Sequence, residues 1–170
     1  MRMPSLIAAI ALPAAIAFAS PVVAQSENAQ AFVNKAAVSD IFEIQSSELA
    51  LNRAKDPQVK DFAQMMIADH GKSSQMLQQI ASAQGLNVPT SLDEEHQAKL
   101  QTLEQAGDEI DAQYVQMQVN GHENAVAMFE NYASTGNDPK LQQFAQESLP
   151  ILKQHLEKIQ TVSKGLGTSQ

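Results

Sequence analysis

Residues 56–85 read DPQVKDFAQMMIADHGKSSQMLQQIASAQG, and the spacing inside this stretch decides the fold. Asp56 is a favoured N-cap, because its carboxylate can accept from the open N–H groups of a first helical turn. Pro57 suits the first helical position, where no backbone hydrogen bond is lost. Val59, Phe62, Met66, His70, Ser73, Leu77 and Ile80 then recur every three or four residues, the period of one helical face. Gly85 supplies the stop. A helix from Pro57 to about Gln84 would be roughly 40 Å long at 1.5 Å per residue. An imidazole, His70, lies on its apolar face.

The same start signal returns at Asn137-Asp138-Pro139 and predicts a helix to about Lys164, closed by Gly165. Its face is Leu141, Phe144, Leu152, His155, Ile159 and Val162. Pro150 lies inside it and should bend it, because the ring displaces a backbone hydrogen bond. Upstream, a helix from Ala29 to about Lys55 carries Val33, Ala37, Ile41, Ile44 and Leu51 at helical spacing. Beside them runs a stripe of small and polar residues: Ala36, Asp40, Glu43, Ser47, Ala50 and Ala54. Another long helix, capped by Asp108 and running to about Ser134, aligns Asp111, Val115, Gln118, His122, Ala125, Phe129 and Tyr132. Leu86 to Thr90 reads as a loop. Ser91 and Glu94 form a capping box for a short helix that ends near Ala106, before Gly107. Four long helices, two tight Asp-Pro turns and no β alternation predict an all-α, antiparallel four-helix bundle with a short connecting helix.

The N-terminus reads as a secretory leader over residues 1–24. Arg2 precedes an apolar run from Leu6 to Phe18, and Val22-Val23-Ala24 offers small residues before Gln25. That run is too short to span a bilayer. The expected organisation is therefore leader 1–24, short extension 25–28, bundle 29–164 and flexible tail 165–170. The formal charge of −8 becomes one unit more negative when Arg2 leaves, which disfavours nucleic acid and anionic membrane surfaces. The chain has no cysteine, so an exported fold is held by packing rather than disulfides, and thiol chemistry is excluded. No membrane-spanning segment is expected in the mature chain, and a homo-oligomer is compatible with this reading.

Glu43, His70, His122 and His155 each fall near the middle of a different long helix, on or beside its buried face. Burying such groups unpaired is costly, so four of them at one depth point to a shared site. One carboxylate and three imidazoles would suit a single Zn, Fe, Mn or Cu ion. The same residues could instead form a hydrogen-bonded polar cluster with no metal. Asp40, Asp69, Asp111, Tyr114 and Gln118 are the candidate supporting residues. Asp40 shares a face with Glu43 but reads better as a solvated acid. Asp69 points away from the His70 face, toward another helix or water. Asp111 reads as a dipole-complementing residue at N3 of its helix, Tyr114 as core, and Gln118 as able to orient His122 from one turn away. Met66 and Met117 read as core, and His96 as surface. No long helix carries a Glu-x-x-His pair, so a ferritin-type di-iron centre is not expected. Nucleophile, phosphate-loop and cysteine motifs are absent, and the reading leans away from an enzyme.

Several stretches together carry a family likeness: Ala31-Phe32-Val33 with Ala36 and Ala37, Glu43-Ile44, Leu49-Ala50, Val59-Lys60-Asp61-Phe62-Ala63, Met66, and Asp69-His70. They continue through Asp111 with Tyr114, His122, Leu149-Pro150 and His155. On these residues the chain resembles the domain of unknown function 4142 family of bacterial exported proteins, over about residues 29–163. The resemblance implies a ferritin-like bundle and an exported, periplasmic location, with no settled reaction. It marks Glu43, Asp69, His70, Asp111, His122 and His155 as positions to test. The expected function is metal handling or a stress-related role. The alternative is a non-catalytic envelope protein in which the polar cluster serves only structure or interaction.

Overall fold

A computed structural model describes residues 28–167. The leader and most of the extension expected at residues 1–27, and the last three residues of the tail, lie outside the described residues. Every described element is helical: α1 (Ala29–Arg53), α2 (Pro57–Ala83), α3 (Glu94–Glu104), a 3₁₀ turn (Gly107–Glu109), α4 (Ile110–Thr135) and α5 (Pro139–Gly167). Among the described residues, no helix is long and apolar enough to cross a membrane.

The Asp-Pro starts behave as the sequence suggests. Asp56 accepts from Gln58 N, and Asp138 accepts from the N–H groups of Lys140 and Leu141. Gly85 ends α2 at φ 69°, a conformation that costs glycine little. Three boundaries differ from expectation. Asp93, not Ser91, caps α3 by accepting from His96 N. Asp108 caps nothing: its carboxylate pairs with Lys55 Nζ at 2.6 Å, and α4 starts after the 3₁₀ turn. Helix α5 continues past Gly165 to Gly167, because Gly165 does not take the positive φ that would end it. It also runs unbroken through the exposed Pro150.

The helices form a square in which α1–α2, α2–α5, α5–α4 and α4–α1 are neighbours. At one end, Asp111 accepts from the backbone N–H groups of Lys55 and Asp56, joining the α1–α2 turn to the start of α4. At the other end, Ala29 N donates to Asn137 Oδ1, and Gln30 exchanges hydrogen bonds with Asn87. The segment from Gln84 to Ala106 therefore returns along the length of the bundle, with α3 packed on α1 and α4. Helices α1 and α5 run one way, α2 and α4 the other, so all four neighbouring pairs are antiparallel. One long crossover joining two hairpins is the ferritin-like arrangement.

The core-facing side of α1 takes Val33 and Ala37 from the apolar set but otherwise follows the small and polar stripe. Ile41, Ile44 and Leu51 are only half-buried, whereas Ala36, Asp40, Glu43, Ser47, Ala50 and Ala54 are buried. Small side chains let α2 and α4 approach α1 closely, and the acids find partners there. The apolar core divides in two as a result. One half gathers Phe32, Leu77, Phe129, Tyr132, Leu141 and Phe144. The other gathers Val59, Phe62, Met66, Tyr114, Ile159 and Val162. Between them lies a buried polar layer of Asp40, Glu43, Ser46, Ser47, His70, Gln118, His122 and His155.

Candidate metal centre

Each histidine reaches the layer from a different helix: His70 from α2, His122 from α4 and His155 from α5. Their ring centroids are 5.4–5.8 Å apart. One donor nitrogen from each ring lies within 4.8 Å of one from each of the others. All three rings are buried.

Every ring has one nitrogen anchored. His70 Nδ1 lies 2.7 Å from Asp40 Oδ1 on α1. His122 Nδ1 donates to the Gln118 carbonyl, one turn earlier, at 2.9 Å. His155 Nε2 lies 3.2 Å from Asp69 Oδ2 on α2. The remaining nitrogens, His70 Nε2, His122 Nε2 and His155 Nδ1, are buried and have no hydrogen-bond partner. An oxygen acceptor on one nitrogen fixes the tautomer and leaves the other's lone pair free, the usual arrangement around a metal-binding imidazole. Phe62 packs edge-on against His122, with centroids 6.1 Å apart, and closes the layer on one side.

Electrostatics divides the three rings. Burial pushes the pKa of His122 down to about 4, and the nearby His70 charge pushes the same way. His155 is also lowered to about 4, by burial and then by His70 and His122. For His70, burial opposes the charge, but the hydrogen bond and charge of Asp40, helped by Glu43 and Asp69, outweigh it and raise its pKa. Asp40 thus pulls His70 toward the charged form, while burial holds His122 and His155 toward the neutral one.

Glu43 lies in the same layer but outside the close triad. Its neighbours include His70, Gln118, Asp40 and His155. Burial raises its pKa against the opposing pull of His70 and a hydrogen bond from Gln118. Its Oε2 has no partner. The expected set of four is thus a close set of three with an acid alongside. Gly121 explains how the acid fits: a Cβ there would stand 3.1 Å from Glu43 Oε1.

The supporting residues sort by position. Asp40 is buried and holds His70, so the solvated reading of it fails: the small residues of α1 bring its carboxylate inside. Asp69 does meet another helix, bonding His155 and, at 3.1 Å, Lys72. Gln118 orients His122 through its backbone, while its side chain reaches Ser46 and Glu43. Tyr114 is core, with its hydroxyl 2.8 Å from Ser47 Oγ. Asp111 stands eleven residues before His122, roughly 16 Å along the helix. It is occupied at the bundle end, so it supports the hairpin turn rather than the site. His96 is half-exposed, paired with Asp93 and set edge-on to Phe42. Gly121 and Ser46 escaped the sequence reading; only the small-residue character of the α1 stripe hinted at a close polar α1–α4 contact.

A ferritin-like bundle with three convergent buried imidazoles defines the class. The chain belongs to the domain of unknown function 4142 family, whose sequence model, described as Domain of unknown function (DUF4142), matches residues 15–162. Two solved structures share the fold. One is the crystal structure of a DUF305 fragment from Deinococcus radiodurans, with 14% identity, TM-score 0.70, and coverage of 82% of this chain and 98% of that one. The other is CopM in the Cu(II)-bound form, with 17% identity, TM-score 0.71, and coverage of 84% and 99%. No curated protein matches the chain.

Proposed function

We propose that this is an exported metal-handling protein that holds one transition-metal ion at His70, His122 and His155. The observation that carries the reading is the anchoring pattern. Three rings from three helices each tie one nitrogen to an oxygen acceptor and leave the other bare, with donor nitrogens within 4.8 Å. Three bare lone pairs in one buried layer repel one another unless a proton or a cation lies between them.

The residues fit such an ion. One nitrogen of each ring lies within 4.8 Å of one on each of the others, close enough for a single ion to be shared by the three. Neutral imidazoles suit Zn, Fe, Mn or Cu, and the copper-bound form of a structure with this fold makes Cu²⁺ the first ion to try. Glu43 would balance its charge. A bound ion would supply Lewis acidity or, for Cu and Fe, one-electron chemistry. The protein's part is to hold the three rings in place and fix the direction of their free nitrogens. The leader-like N-terminus supports a periplasmic setting.

The test is elemental analysis of untagged protein beside His70→Ala and His122→Ala. About one metal per chain in the wild type, lost in both variants, is the expected result. Metal at 100 times its dissociation constant should stabilise the fold by about 2.7 kcal/mol. Unchanged metal content in both variants removes the site. No metal and no thermal shift would leave the alternative, a non-catalytic envelope protein with a structural polar layer.

A further inference from the structure

The polar layer is approached from two opposite faces of the bundle. On the α1–α4 face, beneath the segment 89–99, a cleft of about 810 Å³ reaches Glu43 and Gly121 but none of the three clustered rings. On the α2–α5 face, a smaller cavity of about 260 Å³ is lined by His70 and His155 themselves, together with Asp40 and Asp69. That volume has room for roughly eight waters at ~30 Å³ each, enough for a partly hydrated ion. His122 does not line it and lies deeper, against Phe62.

The mouth of the smaller cavity is unusual in composition. Met76 (44% exposed) and Ile151 (48%) are the exposed large hydrophobic residues among the described residues, and both line this cavity. Between them the lining carries the carboxylates of Asp69 and Glu147, with Lys72 already tied to Asp69. With Lys72 offsetting Asp69, Glu147 leaves the rim with a net negative charge, which favours cations. The thioether of Met76 adds a soft donor at the rim.

We propose that the α2–α5 cavity is the port through which the metal ion enters and leaves the triad, meeting His155 and His70 before His122. This rests on the metal-binding reading above. The α1–α4 cleft, despite its larger volume, is left off the route because none of the three rings lines it.

Plugging the port should therefore change rates and leave affinity alone. Ser73→Trp places an indole in the cavity from α2, and Ser148→Trp does so from α5 should the first variant fold poorly. Asn124→Trp fills the opposite cleft as the control. The measurement is stopped-flow uptake of Cu²⁺, with release into a chromophoric chelator and the dissociation constant from equilibrium competition. Uptake and release both slowed by about tenfold or more in the α2–α5 plugs, equivalent to roughly 1.4 kcal/mol of barrier, with an unchanged dissociation constant and a neutral Asn124→Trp, is the expected result. Wild-type rates in the folded plugs, or equal slowing by Asn124→Trp, would overturn the port while leaving the metal site standing. No stoichiometric uptake of Cu²⁺, Zn²⁺, Mn²⁺ or Fe²⁺ by the wild type would overturn both.

Discussion

His70 Nδ1 lies 2.7 Å from Asp40 Oδ1, with both side chains buried, and this pair links α1 to α2 in the middle of the bundle. It sets the proton position and ring angle of His70, and so the direction in which Nε2 presents itself to the other two rings. Asp40→Asn keeps the shape and removes the charge. It should lower the pKa of His70, whose elevation depends chiefly on Asp40. Loss of such a supporting carboxylate typically weakens metal binding by about 10–100-fold. Competition titration and histidine NMR would check the two effects separately. A shifted pKa with unchanged affinity would show that Asp40 serves only the apo fold.

Acid should weaken the metal-free fold over a defined window. His122 and His155 titrate near 4 when folded and near 6.5 when unfolded, so between those values the unfolded chain binds more protons. Stability contributed by these rings is complete above about pH 6.5 and lost as the pH falls toward 4, by at most about 1.4 kcal/mol per pH unit for each ring. His70 has the opposite sign. Its raised pKa adds stability that is present below about 6.5 and fades as the pH rises through its folded value. Urea denaturation from pH 4 to pH 8 should show the steepest change between 4 and 6.5. His122→Phe should flatten it.

The two mid-helix glycines should respond in opposite directions. Nothing lies within 4 Å of a Cβ placed at Gly71, so Gly71→Ala should stabilise the fold by about 0.5–1 kcal/mol through the lost freedom of the unfolded chain. At Gly121 a Cβ meets Glu43 Oε1 at 3.1 Å, closer than ordinary van der Waals contact, and that side chain is buried. Gly121→Val should destabilise by about 1–3 kcal/mol, in the range of overpacked cores. Thermal melts of the two variants decide this. A neutral Gly121→Val would mean that Glu43 moves freely.

Asp111→Ala should separate fold from site. Removing the carboxylate frees the backbone N–H groups of Lys55 and Asp56 and should cost about 1–2 kcal/mol. Metal content should stay at the wild-type value, because Asp111 sits at the bundle end. Loss of metal without loss of stability would show that the residue acts on the centre after all.

Much of the architecture was legible in the sequence because helix signals are local. The period of residues 59–80, the Asp-Pro starts and Gly85 act within a few bonds, and each element appears where they place it. The mid-helix positions of the three histidines were legible for the same reason: depth along a rod is a matter of counting. Helix boundaries set by long-range contacts were not. Asp108 looked like a cap until Lys55, more than fifty residues away, claimed it. Asp111 keeps its place as the acid of the first turn of α4, but its clamp on another hairpin's turn lies fifty-five residues away and gave no local signal.

The sequence by itself therefore determined that four rods would meet with three imidazoles and an acid at one level. Only the tertiary structure decided which faces turned inward, since a helix's rotation about its axis depends on what its neighbours present. That rotation buried Asp40 rather than Ile41, joined Asp40 to His70 and Asp69 to His155, and held Glu43 beside the triad instead of within it.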